Sequence, residues 1–340
     1  MADTLFITGA GGYITGTFLT IFAEAHPTTP IRALVRSNDQ AERLRSFYAP
    51  KNVNVTPIVG SLDDSALLKA EAARASVVVQ GCGDHLEGIM ALLEGVSQHQ
   101  KAGRSPTPRK DPVFVHISGS SNVRDPDLAF GDLLPRAYSD IDDLDEILAF
   151  GPERTHVTLE NTIRGFSEKN NVKIVILAPP TILGHGAGAL RTETYQLLWY
   201  NAIIENGASF LVGKGENVWS VVSVKDLGRA ISFVVDEALK EGNGRLNYGR
   251  RGYYFIESFE VSLRERAQAA ATRLAAQGLI KTDKVQLLPV EDVKARLGEF
   301  MPYLVGSSSR CRADGLKALG WTPQDLDWKP LIEEVGGKRA

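Results

Sequence analysis

The sequence contains few cysteines and no long hydrophobic run. Its two cysteines, Cys82 and Cys311, are too few for a disulfide framework, and no Cys/His spacing resembles a zinc site. No apolar stretch approaches the roughly 20 residues that a membrane span needs. The net charge is −3, with acidic and basic residues interspersed, so no basic surface for nucleic acid is indicated. We therefore expect a cytoplasmic protein without metal that binds neither nucleic acid nor membrane.

Short apolar strands alternate with helical stretches through the first half of the chain. The pattern predicts strands near residues 4–8, 31–35, 53–59, 76–80 and 113–118, with helices between them. Strands this apolar are typical of a parallel sheet covered on both faces. Right-handed crossovers then give a doubly wound α/β sheet, a Rossmann domain, with its ligand at the carboxyl ends of the strands.

The alternation loosens after Pro179, where helices near residues 193–205, 226–240 and 262–277 are joined by glycine-rich connections. We predict a Rossmann domain of residues 1–182 plus roughly 216–250. A smaller C-terminal substrate lobe, residues 183–215 and 251–330, would close a cleft over it. The acids of the insertion 123–151 are interpreted as a solvated helix face rather than as groups that face a substrate.

A glycine-rich turn lies where the first strand should pass into the first helix. Residues 7–16 read Ile-Thr-Gly-Ala-Gly-Gly-Tyr-Ile-Thr-Gly. Glycines such as Gly9 and Gly12 permit a tight turn and close approach of the backbone to a diphosphate. The helix N-terminus, at Tyr13 and Ile14, supplies amide groups and a partial positive charge. Placed at the head of a βαβ unit, this turn predicts a site for NAD(P)(H).

The end of the second strand bears on the choice between the two dinucleotides. A protein that selects NAD(H) usually places an acid here to accept from the ribose 2′-hydroxyl. Arg36 stands there instead, and a guanidinium pairs well with a 2′-phosphate. The sequence therefore predicts that NADP(H) is preferred over NAD(H), the alternative being a solvated surface arginine.

Five further segments extend the pattern along the chain: Gly-Ser-Leu-Asp-Asp at 60–64, the serine-rich 115–123, Pro-Pro-Thr-Ile-Leu-Gly at 179–184, Val-Lys-Asp-Leu at 224–227 and Leu-Gly-Trp-Thr-Pro at 319–323. With the glycine turn, they resemble the short-chain dehydrogenase/reductase superfamily, in its extended or atypical epimerase/dehydratase-like branch. The resemblance implies further cofactor-binding positions: Ser61, Leu62, Gly81, Ser118, Pro179 and Thr181. The chain departs from the family at Thr15, where the third glycine falls, and at Ser223, where a histidine is usual.

The family's catalytic motif is degenerate in this chain. The resemblance implies a Tyr-x-x-x-Lys pair on the helix after strand five, with the lysine lowering the pKa of a proton-donating tyrosine. Aligning Glu160 with the glutamate that often follows the lysine puts Pro152 at the tyrosine position and His156 at the lysine position. Neither residue can perform the role that the family gives to the tyrosine or the lysine at its position.

Three side chains remain as catalytic candidates. Ser120 matches the family's serine and would orient a carbonyl, or else cap the backbone of its own loop. His156 would bind the nicotinamide ribose or act as general acid, or else be a helix-surface histidine. Tyr138 would donate a proton if the insertion folds over the nicotinamide.

Two further residues are candidates for substrate contact. His185 follows a sixth strand, predicted near residues 173–177, at the mouth of the cleft, in a glycine-rich segment that a lobe hinge explains equally well. Tyr195 would contact the substrate, or donate a proton, if the lobe folds over the nicotinamide. His116 lies inside a strand and Cys82 has no basic neighbour in sequence, so both are predicted to be packing residues.

The leading hypothesis is an atypical NADP(H)-dependent oxidoreductase that acts on a small carbonyl or alcohol substrate. One alternative is a non-catalytic NAD(P)-binding sensor or partner protein, motivated by the missing Tyr and Lys. Another is a non-redox isomerase, lyase or epimerase that uses the same cleft. Members of the family often pair through the helices after strands four and five, so a homodimer is a further expectation.

Overall fold

The computed structural model describes residues 3–102, 110–191 and 196–333. The strands in this part of the chain are β1 Leu5–Thr8, β2 Ile31–Val35, β3 Val55–Val59, β4 Val77–Gln80, β5 Val113–Ile117, β6 Tyr138–Ser139, β7 Lys173–Ala178, β8 Thr181–Leu183, β9 Phe210–Val212, β10 Val218–Ser223, β11 Tyr253–Phe255, β12 Phe259–Ser262, β13 Gln286–Leu288 and β14 Cys311–Arg312.

The helices in the same residues are α1 Tyr13–Ala25, α2 Asn38–Tyr48, α3 Ser65–Ala72, α4 Leu86–Ala102, α5 Leu144–Ile147, α6 Val157–Asn170, α7 Gln196–Asn206, α8 Val224–Leu239, α9 Leu263–Ala276, α10 Val290–Leu297, α11 Met301–Gly306, α12 Asp314–Leu319 and α13 Trp328–Glu333. None of these helices is both long enough and apolar enough to cross a membrane. The described residues also contain no group of three His, Cys, Asp or Glu side chains that could hold a metal ion.

The main sheet has seven strands in the order β11-β7-β5-β4-β1-β2-β3, and every neighbouring pair is parallel. The strands β1, β4 and β5 are buried along their whole length, as expected for a sheet covered on both faces. The doubly wound α/β fold predicted from the sequence is confirmed. The strand order reverses between β1 and β4, and ligands of such sheets bind at the carboxyl ends of the strands at this point.

The predicted boundary of the lobe at residue 251 needs one correction. Tyr253–Phe255 pairs with β7 and forms the outermost strand of the main sheet. Three adjacent aromatic residues gave no alternating pattern from which their place in the sheet could be predicted. Other parts of the predicted lobe have a core of their own, in which Trp199, Phe210 and Val293 are buried together.

The family-like segment at 224–227 anchors the C-terminal part of the chain. The carboxylate of Asp226 is fully buried and accepts the backbone N–H groups of Gln324 and Asp325. Ser223, the residue at the usual histidine position, caps α8 by accepting from the amide of Asp226 and donates its hydroxyl to Asp325. Arg229 completes the network with an ion pair to Asp226. This segment is therefore structural.

Most of the acidic side chains of the insertion 123–151 are solvated, but not all of them. Three acids carry exposed ion pairs to arginines: Asp142, Asp145 and Glu146. Asp140 is buried, and its two oxygens accept the amides of Phe255 and Gly315. Burial raises the pKa of this carboxyl to about 7. The interpretation as a solvated helix face is wrong for Asp140. Its amide partners are distant in sequence, so no local pattern indicated that this carboxylate would be buried.

Candidate functional site

The glycine-rich turn has a geometry that only glycine adopts without strain. Gly9 has a φ of +74°, in the left-handed region. A Cβ there would lie 2.8 Å from the carbonyl oxygen of Gly81, the residue directly after the neighbouring β4. The amide of Gly12 donates to the carbonyl of Gly9 over 2.7 Å and closes the turn. These contacts bring the backbone of the turn against the ends of β1 and β4.

Thr15, at the family's third glycine position, supports this turn. Its hydroxyl donates to the carbonyl of Gly9, and its methyl group occupies the space beside Gly81 that a Cβ there would fill. A third glycine on the helix would allow close packing between helix and strand. Here the glycine that allows this packing is Gly81, directly after the strand.

The first turn of α1 is open to an anion. Gly12 precedes the helix with no side-chain cap, and the first turn carries no acid. The N–H groups and the dipole of such a helix end favour a diphosphate. The hydroxyl of Tyr13 donates to the carbonyl of Gly184 over 2.7 Å, and Ile14 packs against the core. A cofactor contact by Tyr13 or Ile14 would therefore use the backbone.

A cavity of about 380 Å³, here called the cofactor cleft, opens at the carboxyl ends of β1 to β4. It brings together six residues predicted to bind the cofactor: Gly9, Gly12, Arg36, Ser61, Leu62 and Gly81. Gln40, Cys82 and Arg191 also line it and were missed as cofactor contacts. The described lining contains two arginines and no carboxylate. A glycine cradle, an open helix end and two guanidinium groups fit a phosphate-bearing dinucleotide.

Ser118 and Glu160 form part of a largely buried network near His156. The Ser118 hydroxyl donates to Glu160 over 2.6 Å, and the Glu160 carboxylate lies 3.4 Å from the Arg164 guanidinium. Burial raises the pKa of Glu160 against the opposing effect of Arg164. The hydroxyl of Ser118 is thus occupied by a structural partner, which its serine-rich sequence context did not reveal.

Ser120 is buried, and its hydroxyl lies 3.1 Å from that of Ser309 near the C-terminal end of the chain. The Ser309 hydroxyl in turn donates to the carbonyl of Ser120 over 2.7 Å. Ser120 is not among the described residues that line either cavity. Its position offers no access to a carbonyl substrate, and its partner comes from 189 residues further along the chain.

His156 lies at the wall of a second cavity of about 400 Å³, here called the His156 pocket. Its Nδ1 is 3.5 Å from Oδ2 of Asp84, a residue that the sequence analysis missed, and this contact lowers the pKa of the Asp84 carboxyl. A Cβ at Gly119 would lie 2.9 Å from His156 Nε2, so Gly119 leaves room for the ring. His156 itself has a φ of +69°. Such backbone strain, about 1–3 kcal/mol, often occurs at functional sites.

A neutral histidine lies near this pair. The Nδ1 of His116 is 2.6 Å from the Gln80 side-chain oxygen, and the Gln80 amide donates to the carbonyl of Gly83. Complete burial lowers the pKa of His116 to about 4. His116 is therefore a buried, uncharged residue that supports the turn carrying Asp84.

The remaining candidates do not converge on either cavity. Tyr138 is buried in β6 with Arg136 over its ring, and burial raises its pKa. Pro179 is buried and accepts from the amide of Ser120, whereas Thr181 pairs with β10. His185 is exposed on the segment after β8. Tyr195 lies outside the described residues.

The comparisons with known proteins agree with the fold. No family model matches the chain. An oxidase, ucsJ, from an Acremonium species is 26% identical, covering 97% of this chain and 94% of the oxidase.

Solved structures of low sequence identity have the same architecture. The PbgP3 protein from Burkholderia pseudomallei matches with a TM-score of 0.67 at 14% identity, over 98% of this chain and 96% of its own. The UDP-N-acetylglucosamine 4-epimerase from Methanobrevibacter ruminantium in complex with UDP-N-acetylmuramic acid gives 0.64 at 13%, over 98% and 97%. The dTDP-glucose 4,6-dehydratase from Bacillus anthracis in complex with NAD gives 0.63 at 16%, over 98% and 95%. The chain therefore has the fold of these epimerase and dehydratase structures, which is the fold that the resemblance of its motifs implied.

Proposed function

We propose that the protein is an NADP(H)-dependent oxidoreductase that acts on a small carbonyl or alcohol substrate, with His156 in the role of the missing tyrosine. The two arginines and the absence of a carboxylate in the described lining of the cofactor cleft support NADP(H). The name of the Acremonium relative, an oxidase, supports redox chemistry.

One observation carries the proposal: a single turn connects the two cavities. Gly81 and Cys82, directly after β4, line the cofactor cleft, and Asp84 lines the His156 pocket. A ligand that extends from the glycine turn past β4 would reach the wall formed by Asp84 and His156. The bound dinucleotide would supply or accept the hydride, and this chain would hold and move the proton.

His156 is suited to that proton transfer. The Asp84 carboxylate, whose Oδ2 lies 3.5 Å from Nδ1, orients the imidazole ring. We assign the exchange of a proton with a substrate oxygen to Nε2, the ring nitrogen on the side of Gly119. An acidic partner that orients an imidazole is a recurring arrangement in catalysis.

The lining of the His156 pocket favours a small substrate without phosphate groups. Leu86, Pro152 and Leu159 supply apolar surface, and Thr155, Thr158 and Thr162 line it as well. Arg154 is the one arginine or lysine in the described lining. Its guanidinium donates to the carbonyls of Asn122 and Arg124. The described lining thus offers little to bind the diphosphate of a sugar nucleotide.

The experiment is His156→Asn, chosen because asparagine tolerates a positive φ. NADPH with a panel of carbonyl compounds, and NADP⁺ with the matching alcohols, report turnover. We expect kcat to fall by about 10²- to 10⁴-fold with the dissociation constant of NADPH unchanged. His26→Asn, in the half-buried His26–Asp236 pair outside the described lining of both cavities, is the matched control. Wild-type turnover in His156→Asn would remove the role given to this residue.

A non-catalytic dinucleotide-binding protein is the second candidate. The buried hydroxyl of Ser120 and the proline at position 152 favour it, because both usual polar groups are missing from the pocket. NADPH binding without turnover across the whole panel would support this candidate. Product formation without cofactor consumption would instead indicate an isomerase or a lyase.

A further inference from the structure

The segment 184–191, here called the strap, is fastened across helix α1. The Tyr13 hydroxyl donates to the carbonyl of Gly184 over 2.7 Å. The amide of Ala187 donates to the Thr17 hydroxyl, and the Thr20 hydroxyl donates to the carbonyl of Ala187, both over 3.0 Å. These contacts fix the path of the strap along the helix from its first turn to its second.

Two close backbone approaches fix its register. A Cβ at Gly188 would lie 2.9 Å from the carbonyl carbon of Gly16, so the strap touches the helix backbone there. A Cβ at Gly11 would lie 2.7 Å from Cδ1 of Leu190. Gly11 is thus needed for contact with the strap, and Leu190 is held directly over the glycine-rich turn.

The position of Leu190 determines where the next residue lies. Arg191 lines the cofactor cleft together with the glycine turn on one side and Arg36 on the other. Arg36 follows β2, at the place where a ribose 2′-substituent is recognised in this fold. Arg191 follows the residue that covers Gly11, at the diphosphate side of the cleft. The two guanidinium groups therefore belong to different phosphate positions.

We infer that Arg191 is a second phosphate-binding residue of the cofactor cleft and that it binds the diphosphate, whereas Arg36 binds the 2′-phosphate. The inference rests on the proposed use of NADP(H) and assigns a different phosphate to each arginine. The strap follows β8 in the chain and places the Arg191 guanidinium near the N-terminus of α1. A helix N-terminus by itself already favours anions. Because both dinucleotides carry the diphosphate, Arg191 contributes to affinity and not to the choice between them.

The test is the dissociation constant of NADPH and of NADH, measured by calorimetry for wild type, Arg191→Gln and Arg36→Gln. Arg191→Gln should weaken both dinucleotides by a similar factor, about 10- to 100-fold. Arg36→Gln should weaken NADPH by a comparable factor and leave NADH nearly unchanged. Arg191→Lys keeps the charge and should lose less than Arg191→Gln. Arg43→Gln, an exposed residue of α2 outside the described lining, controls for the loss of one positive charge.

Two results would overturn the inference. Unchanged affinity of Arg191→Gln for both dinucleotides would show that Arg191 does not contact the cofactor. A loss confined to NADPH would place Arg191 at the 2′-phosphate and refute its assignment to the diphosphate. A wild-type protein that binds neither dinucleotide would refute the proposed function as well, and is distinguishable from both.

Discussion

The cofactor cleft and the His156 pocket lie on either side of one turn, yet they differ in how far they follow the family pattern. The cleft keeps its glycine turn, its open helix end and its strand-end residues in place. In the pocket, Pro152 and His156 replace the tyrosine and lysine, and Ser120 has its hydroxyl buried against Ser309. The features that depend on backbone geometry thus follow the family pattern, whereas those that depend on catalytic side chains depart from it.

The largest expected effect tests whether the network of Ser118, Glu160 and Arg164 is structural. Glu160→Ala would leave Arg164, which is 5% exposed, without its carboxylate partner. Removing one partner of a buried ion pair costs about 3–5 kcal/mol. We expect that loss in the free energy of unfolding by urea, with NADPH affinity retained by the folded protein. Glu168→Ala, exposed on the same helix, is the control. Full stability combined with lost NADPH binding would return Ser118 to the cofactor site and add Glu160 to it.

Gly9→Val should have the next largest effect, on binding. The φ of +74° and the carbonyl of Gly81 leave no place for a side chain. We expect the affinity for NADPH and NADH to fall by roughly 100-fold or more, because the amides of α1 are displaced. Gly207→Val is the matched control, since Gly207 has a φ of +76° and a Cβ there would meet no atom within 4 Å. Near-normal affinity in Gly9→Val would contradict the assignment of the cleft.

Thr15→Gly restores the family's third glycine and sharpens the account of the cleft. The change removes the hydroxyl that donates to Gly9 and places a glycine inside a helix. We expect a loss of about 2 kcal/mol in the free energy of unfolding and only a few-fold loss of NADPH affinity. A gain of stability would show that Thr15 strains the turn.

Asp84→Asn should have the smallest effect and addresses the His156 pocket alone. It removes the negative charge beside Nδ1 and keeps the size of the side chain. We expect kcat to fall about 10-fold, with KM and the NADPH dissociation constant nearly unchanged. Asp236→Asn, in the His26–Asp236 pair outside the described lining of both cavities, serves as the control. A change in KM alone would make Asp84 a substrate-binding residue instead.

The sequence was sufficient for those parts of the structure that depend on local patterns. The strand Ile31–Val35 was predicted with the bounds that the structure has, and a helix was predicted between the first two strands, where Tyr13–Ala25 lies. Apolar runs of strand length and glycines at a strand-to-helix junction define such elements locally. The six predicted residues that line the cleft follow from the same pattern, because they lie at strand ends.

The sequence was insufficient where partners meet from distant parts of the chain. Ser120 is buried by Ser309, and Asp140 is satisfied by amides from β11 and α12. Arg191 reaches the cleft through strap contacts with α1, which lies far earlier in the chain. No local sequence pattern predicts these contacts, because they depend on tertiary packing. Asp84 had one local signal, its position just after β4 at the ligand-binding edge of the sheet.

The most direct test of the account is a crystal structure with bound NADP⁺. We predict that the diphosphate contacts the amides at the start of α1 and that the nicotinamide passes residues 81–84 to face His156. The C4 atom and His156 Nε2 would then be close enough for one substrate oxygen to reach both. A nicotinamide directed away from the His156 pocket, with no path from C4 to Nε2, would contradict the account.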